Sequence, residues 1–192
     1  MKSAKRASPS KRRSSHRAWI GEDIDDAVGL DRLYTRPGHL IRRCHQIAVS
    51  LFHEECGGFD ITPIQYALLA VLAARDGVDQ ITAAGLAALN RSTAGEVIAR
   101  LESSGWLRRE GGNDDRRVKR LHITRSGLRL LDRIDAAVTR VQERLLAPLD
   151  PDEQAHFIAC LTRIASENNA LSRAPLRNVA VERMCVRENH VE

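Results

Sequence analysis

Apolar positions recur every three or four residues along most of this chain, and alternate every second residue in one short stretch. Leu40, Ile41, Cys44, Ile47, Ala48, Leu51 and Phe52 form one face of a helix expected over about Pro37–Glu55. Two shorter helical patterns follow in 81–105, joined around Leu89–Asn90. In the second, Ala94, Val97, Ile98 and Leu101 share a face that packs inward; Asn90 reads as its N-cap and Gly105 as its stop. Trp106–Arg109 and Val118–Thr124 read as strands flanking a turn-rich loop, Glu110–Arg117. Leu121 and Ile123 alternate with Arg120 and His122, as in a strand with one buried side. Two more helices follow. Leu128, Leu131, Ile134, Val138, Val141 and Leu145 make a stripe ended near Pro148; after a cap-like Asp150–Pro151, Phe157, Ile158, Leu161 and Ile164 make another.

Paired short helices followed by a hairpin with arginines at its tip predict a winged helix-turn-helix, and with it sequence-specific DNA binding. The polar side of the second helix carries Arg91, Ser92, Thr93, Glu96 and Arg100, the groove-facing candidates. Ser92 and Thr93 fall in its first turn, where backbone N–H groups and hydroxyls meet phosphate oxygens or base edges. Arg116, Arg117 and Lys119 are expected to project from the hairpin tip, and arginine suits a narrow minor groove of enhanced negative potential. A solvated charged loop is the alternative for that run.

The string DDRRVKRLHITRSG, preceded by RSTAGEVIARLESSGWLRRE, resembles the MarR family of bacterial winged-helix regulators. The family's wing pattern falls on Asp115, Arg117, Ile123, Thr124 and Gly127, and the resemblance covers about residues 33–171. It implies that Asp115 braces the wing while Arg117 reaches DNA. Many relatives carry Asp where this chain has Asn90; either residue caps a helix. The fold class expected is mainly α, an α+β winged-helix head whose N- and C-terminal helices form an intertwined dimerisation region.

Composition sharpens this picture. Net charge is +5, yet residues 1–17 hold seven Lys or Arg and no acid, which leaves the body close to neutral. Residues 91–120 hold eight Lys or Arg against five acids, a local basic surface. The expected organisation is a flexible basic arm over 1–30, a MarR-like domain over 31–171 and a loose tail over 172–192. Within the domain, the winged helix-turn-helix spans about 60–127 and dimerisation helices span about 34–56 and 125–171. The arm either adds nonspecific phosphate affinity or is a silent solvated tail. With no apolar leader core and no run of about 18 apolar residues, a cytoplasmic location is expected. Neither long C-terminal stripe can be buried within a lone winged helix, so a homodimer reading two half-sites of a pseudo-palindromic operator is expected, with a monomeric bundle as the alternative.

Regulation is expected on the N-terminal helix. Arg36, His39, Arg43, Gln46 and Ser50 lie within an arc of about 80° beside its apolar face. Arg36, His39, Arg43 and Gln46 are the ligand-binding candidates: a guanidinium pairs with a carboxylate, and His39 with a ring oxygen or nitrogen. Many MarR proteins bind small aromatic acids and then release DNA, and RPGHLIRRCHQ is similar to regulators of aromatic-acid and nicotinate breakdown. The resemblance therefore implies a repressor released by a small aromatic carboxylate through a population shift.

Cys44, Cys56, Cys160 and Cys185 form no CxxC pair and no zinc-like spacing, so no metal or cofactor is expected. Core packing is the default for Cys44 and Cys160. Thiol-based redox sensing through Cys44 is one alternative, since one MarR branch senses peroxides through a cysteine; a winged-helix protein-interaction module is another. An enzyme is not expected: His53-Glu54-Glu55-Cys56 lacks the second histidine of HExxH, and no phosphate loop or GxSxG elbow is present.

Overall fold

The computed structural model of the chain describes residues 30–111 and 119–176. The helices are α1 (Leu30–Tyr34), α2 (Pro37–Cys56), α3 (Pro63–Ala74), α4 (Gln80–Leu86), α5 (Arg91–Ser103), α6 (Arg125–Leu146) and α7 (Pro151–Glu167). The strands are β1 (Val78–Asp79), β2 (Leu107–Gly111) and β3 (Lys119–Ile123), forming one antiparallel sheet in the order β1-β3-β2. Among the described residues the protein is mostly helical with a small sheet, the architecture expected of a winged helix.

The chain divides into two units, residues 1–43 and 44–192. In the first, α1 runs to Tyr34 and the start of α2 follows, with Arg36 N donating to Leu33 O across the break. Tyr34 and His39 meet edge to face, ring centroids 5.4 Å apart. Helix α1 begins at Leu30, inside the stretch read as a structureless arm; residues 1–29 lie outside the described set.

The second unit is built around one apolar core. Leu68, Leu69 and Leu72 of α3, Ile98 and Leu101 of α5, Leu107 of β2, Leu121 of β3 and Ile134 of α6 are fully buried. Each such side chain contributes about 1.5–3 kcal/mol relative to exposure. The helix starts are fixed locally. Thr62 and Gln65 form a reciprocal capping box ahead of α3, with Pro63 at the first helical position, and Asp150 and Glu153 do the same for α7 with Pro151. Asp79 caps α4, accepting from Ile81 N, Thr82 N and the Thr82 hydroxyl at 2.9, 3.0 and 2.6 Å. Burial pushes the Asp79 carboxyl up, but those hydrogen bonds outweigh it and its pKa is lowered.

The α6 stripe is only partly covered within the single chain, which also buries the side next to it. Gly127, Leu130, Ile134, Ala137 and Val141 are buried, whereas Leu128 is exposed and Leu131 and Val138 pack at the margin. The two sets share Ile134 and Val141 and are adjacent on a helix of 3.6 residues per turn, with the close approach at Gly127 on the buried side. In the single chain Cys44 is exposed and Cys160 half-buried, so neither is core there; among the described residues the buried thiol is Cys56, whose pKa burial pushes up. Cys185 lies outside the described residues. At the C-terminal end the Asn169 side-chain amide holds Leu176, Nδ2 donating to Leu176 O and Oδ1 accepting Leu176 N, both at 2.8 Å; residues 177–192 are not described.

Candidate nucleic-acid interface

Helix α5 starts because Asn90 leaves helical geometry and its Oδ1 accepts Thr93 N at 2.9 Å. The turn before it closes with Leu89 N donating to Ala84 O at 2.8 Å and Ala88 at φ 53°. The helix stops at a Schellman motif: Gly105 takes φ 71°, Trp106 N donates to Leu101 O and Gly105 N to Glu102 O, both at 2.9 Å. Ala94, Val97, Ile98 and Leu101 are all buried, as the spacing predicts.

That burial fixes what faces out. Arg91, Ser92, Glu96 and Arg100 are exposed and Thr93 is half-buried. At 100° per residue Ser92, Thr93, Glu96 and Arg100 share an arc of about 100°, and Arg91 adds a cation at the helix start. By helix geometry the amides of Arg91 and Ser92 have no intrahelical acceptor, and they sit at the positive end of the dipole. The Ser92 hydroxyl donates to Asn90 Oδ1 at 2.8 Å, so that proton is already engaged while the Ser92 amide stays without an intrahelical acceptor.

The hairpin pairs Leu107 with Ile123, Arg108 with His122, Arg109 with Leu121, Glu110 with Arg120 and Gly111 with Lys119. Its first strand extends to Gly111, two residues into the stretch read as loop, because the ladder continues that far. Lys119 is an exposed residue of β3, within the stretch read as strand, and pairs with Gly111 at the described end of the ladder. Asp115, Arg116 and Arg117 lie outside the described residues, as does Val118. Arg109 Nε lies 2.9 Å from Glu102 Oε2, tying the hairpin to the end of α5.

Two features escaped the sequence reading. Strand β1 pairs Val78 with Leu121 and Asp79 with Arg120; a two-residue strand has no alternation to detect. His122 and Arg120, read as solvent-facing, are engaged. Arg120 Nη1 donates to Gly77 O at 2.9 Å, and His122 Nδ1 lies 2.8 Å from Asp76 Oδ2. The Asp76 partner is 46 positions distant in sequence, so only the fold brings it there.

An open cleft of about 320 Å³ lies behind α5. His45 and Val49 of α2, Thr62, Ile64 and Gln65 at the start of α3, and Thr93, Glu96, Val97 and Arg100 of α5 line it. Glu96 and Arg100 thus border both the cleft and the outward face. Gln46, on the same helix as His45, is exposed and does not line the cleft; Arg36 and Arg43 are exposed and His39 is half-buried. Among the described residues no group of three or more His, Cys, Asp or Glu is placed to hold a metal ion. No single helix there is long and apolar enough to cross a membrane.

Comparison with known proteins agrees with this geometry. The sequence profile of the MarR family matches residues 59–118. The chain is 31% identical over 143 residues to the uncharacterized HTH-type transcriptional regulator YkoM of Bacillus subtilis (strain 168), covering 74% of this chain and 88% of YkoM. Among solved structures, the PcaV transcriptional regulator from Streptomyces coelicolor, in complex with its natural ligand, is similar at 38% identity and a TM-score of 0.63, over 69% of this chain and 94% of that one. The transcriptional repressor CouR, bound to a 23-mer DNA duplex, is similar at 26% identity and a TM-score of 0.66, over 73% and 97% of the two chains.

Proposed function

The chain belongs to the MarR family of transcriptional regulators, which are not enzymes, and on that premise we propose that it is a homodimeric repressor released from its operator by a small aromatic carboxylate. The observation that carries the DNA reading is the outward arc of α5, where Ser92, Glu96 and Arg100 stand on a helix whose inner face is fully buried. Arg91 and the first-turn amides bind phosphate, Arg100 and Glu96 reach base edges, and Arg116, Arg117 and Lys119 add contacts from the wing, braced by Asp115. That CouR is a repressor bound to duplex DNA supports this assignment.

The second copy is argued from α7. None of its residues is buried, and Phe157, Ile158, Leu161 and Ile164 remain 37–51% exposed on one stripe. An apolar face of that kind needs a partner. A second copy of this chain supplies one and places two α5 helices on successive turns of DNA.

The effector acts beside α5. A carboxylate in the cleft pairs with the Arg100 guanidinium and competes with its DNA contact, while the apolar walls made by Val49, Ile64 and Val97 cover an aromatic ring. Arg36, His39, Arg43 and Gln46 offer a second set of polar groups for the same ligand class. That PcaV has a natural ligand supports a ligand-responsive reading. Release requires only that the ligand favour the non-binding conformer; a preference of about 1.4 kcal/mol gives a tenfold loss of affinity.

The test is to recover the genomic fragments that the purified chain retains, measure binding against salt, and titrate benzoate- and nicotinate-type acids into the complex. Binding to a two-fold site by a dimer, steep weakening with salt and release by one of the acids are expected. A chain that stays monomeric and retains no fragment at low salt sinks the proposal.

A further inference from the structure

At the root of the hairpin one imidazole faces two carboxylates from different elements. His122, on β3, sets Nδ1 2.8 Å from Asp76 Oδ2 and Nε2 3.4 Å from Glu110 Oε2. Asp76 stands in the turn between α3 and β1, and Glu110 on β2. The other Asp76 oxygen accepts Ile123 N at 3.2 Å, so this carboxylate grips both the ring and the backbone of β3. Gly77 provides the floor: it takes φ 75°, donates its N–H to Leu121 O at 3.0 Å, and a Cβ there would sit 3.2 Å from the ring's Cε1. The imidazole side chain is 16% exposed, whereas both carboxylates are more than half exposed.

The hydrogen bond is the one between Nδ1 and Asp76, while Nε2 and Glu110 face each other as a longer charge pair; a neutral imidazole has no charge to offer that pair, and the imidazolium attracts both carboxylates. Among the described residues the surrounding charges are Asp76 from the α3–β1 turn, Glu110 and Arg108 from β2, and Arg120 on β3 itself. Arg108 pairs with Glu110, and Arg120 is spent on the Gly77 carbonyl. Asp76 is held below the usual carboxylate range, chiefly by its hydrogen bond with His122, and so stays ionised while a histidine titrates.

We infer that His122 is a positioning residue for the wing: protonated, it ties β2 and β3 to the α3–β1 turn, and losing the proton slackens that tie and weakens operator binding as pH rises. The inference rests on the DNA-binding reading above, and the two fail separately.

The full-length chain, His122→Gln and Asp76→Asn are compared at about pH 5.5 and about pH 8, on either side of the histidine range. Amide hydrogen exchange is followed in the DNA-free protein, corrected for intrinsic rates, alongside operator affinity at fixed ionic strength. In the wild type the Ile123 amide and the Leu107–Gly111 ladder are expected to be better protected at the lower pH, with operator binding about fivefold tighter. Both differences are expected to vanish in His122→Gln and to shrink in Asp76→Asn. A pH profile that His122→Gln shares with the wild type overturns the inference. Protection that follows pH while affinity does not overturns it as well, since the tie then positions nothing that DNA reads. If the chain binds no DNA at either pH, the DNA-binding reading falls, while exchange in the free protein still decides whether the tie exists.

Discussion

The carbonyl oxygen of Trp106 occupies the place where a side chain on Gly127 would begin, 2.3 Å from an ideal Cβ. The same Cβ would lie 2.8 Å from Ile123 Cγ1, so the start of α6 presses directly on the end of β3 and on the residue that leads into β2. Thr124 and Ser126 reinforce the junction, each donating a hydroxyl to Gly105 O at 2.7 Å. The wing is thereby fixed to the long helix at its base. Gly127→Ala is expected to destabilise the fold by about 1–3 kcal/mol, because backbone rather than a movable side chain must yield. Urea unfolding followed by circular dichroism reads this directly, and unchanged stability would show that the approach is looser than the geometry here.

A second junction is electrostatic. Glu55, at the end of α2, accepts from Arg140 Nε and Arg144 Nη1, both at 2.8 Å, and Arg144 Nη2 also reaches Glu54 at 2.9 Å. The hydrogen bond from Arg140, then that from Arg144, holds the Glu55 carboxyl below its usual range. A carboxylate with a lowered folded-state pKa adds stability that is fully present above its unfolded value, near about 4.3, and is lost as pH falls through the folded one. Glu55→Gln is therefore expected to lower Tm at neutral pH, with the gap to wild type closing on acidification. Parallel curves from neutral to acid pH would assign the loss to packing rather than to the ion pair.

The parts legible in the sequence are those whose cause is local. The cap at Asn90, the stop at Gly105 and the buried face of α5 follow from neighbours within a turn or two, and the structure holds all of them. The start of α7 at Asp150–Pro151 is legible for the same reason. Which side of α6 the single chain buries is not legible, because Leu128 and Leu131 match a helical period as well as Leu130 and Ala137 do. The close approach of Gly127 to Trp106, on the buried side, is a contact that the period does not register. Likewise β1 and the surroundings of His122 depend on partners more than 40 residues away, which periodicity cannot register. Cys44 failed differently: it shares a helix with core residues, but only Phe52 and Cys56 of α2 are buried in a single chain.

On the outward face of α5, Arg100→Ala should separate recognition from folding. The side chain is exposed and α5 packs through the opposite face, so thermal stability is expected to change by less than about 0.5 kcal/mol. Operator affinity is expected to fall by about 1–3 kcal/mol if Arg100 reads a base edge, with relaxed preference at that position. Because Arg100 also lines the cleft, the variant is expected to respond more weakly to an aromatic acid. Competition binding across single-base operator variants checks both points; a uniform loss over all sequences would reassign Arg100 to phosphate.

The stripe on α7 tests assembly without touching the reading head. Ile158 and Ile164 are each 51% exposed in the single chain, so Ile158→Glu together with Ile164→Glu removes nothing from its core. The double variant is expected to retain its helical circular dichroism yet sediment as a monomer, since two charges cannot be desolvated in an apolar interface without partners. Operator binding is expected to fall far more than either substitution could cause by contact, because a two-fold site then captures one α5 helix at a time and the second half-site no longer benefits from being tethered to the first. Sedimentation and binding measured on the same preparation check the link. A monomer that kept full affinity would mean that one head suffices, and a variant that stayed dimeric would move the interface away from α7.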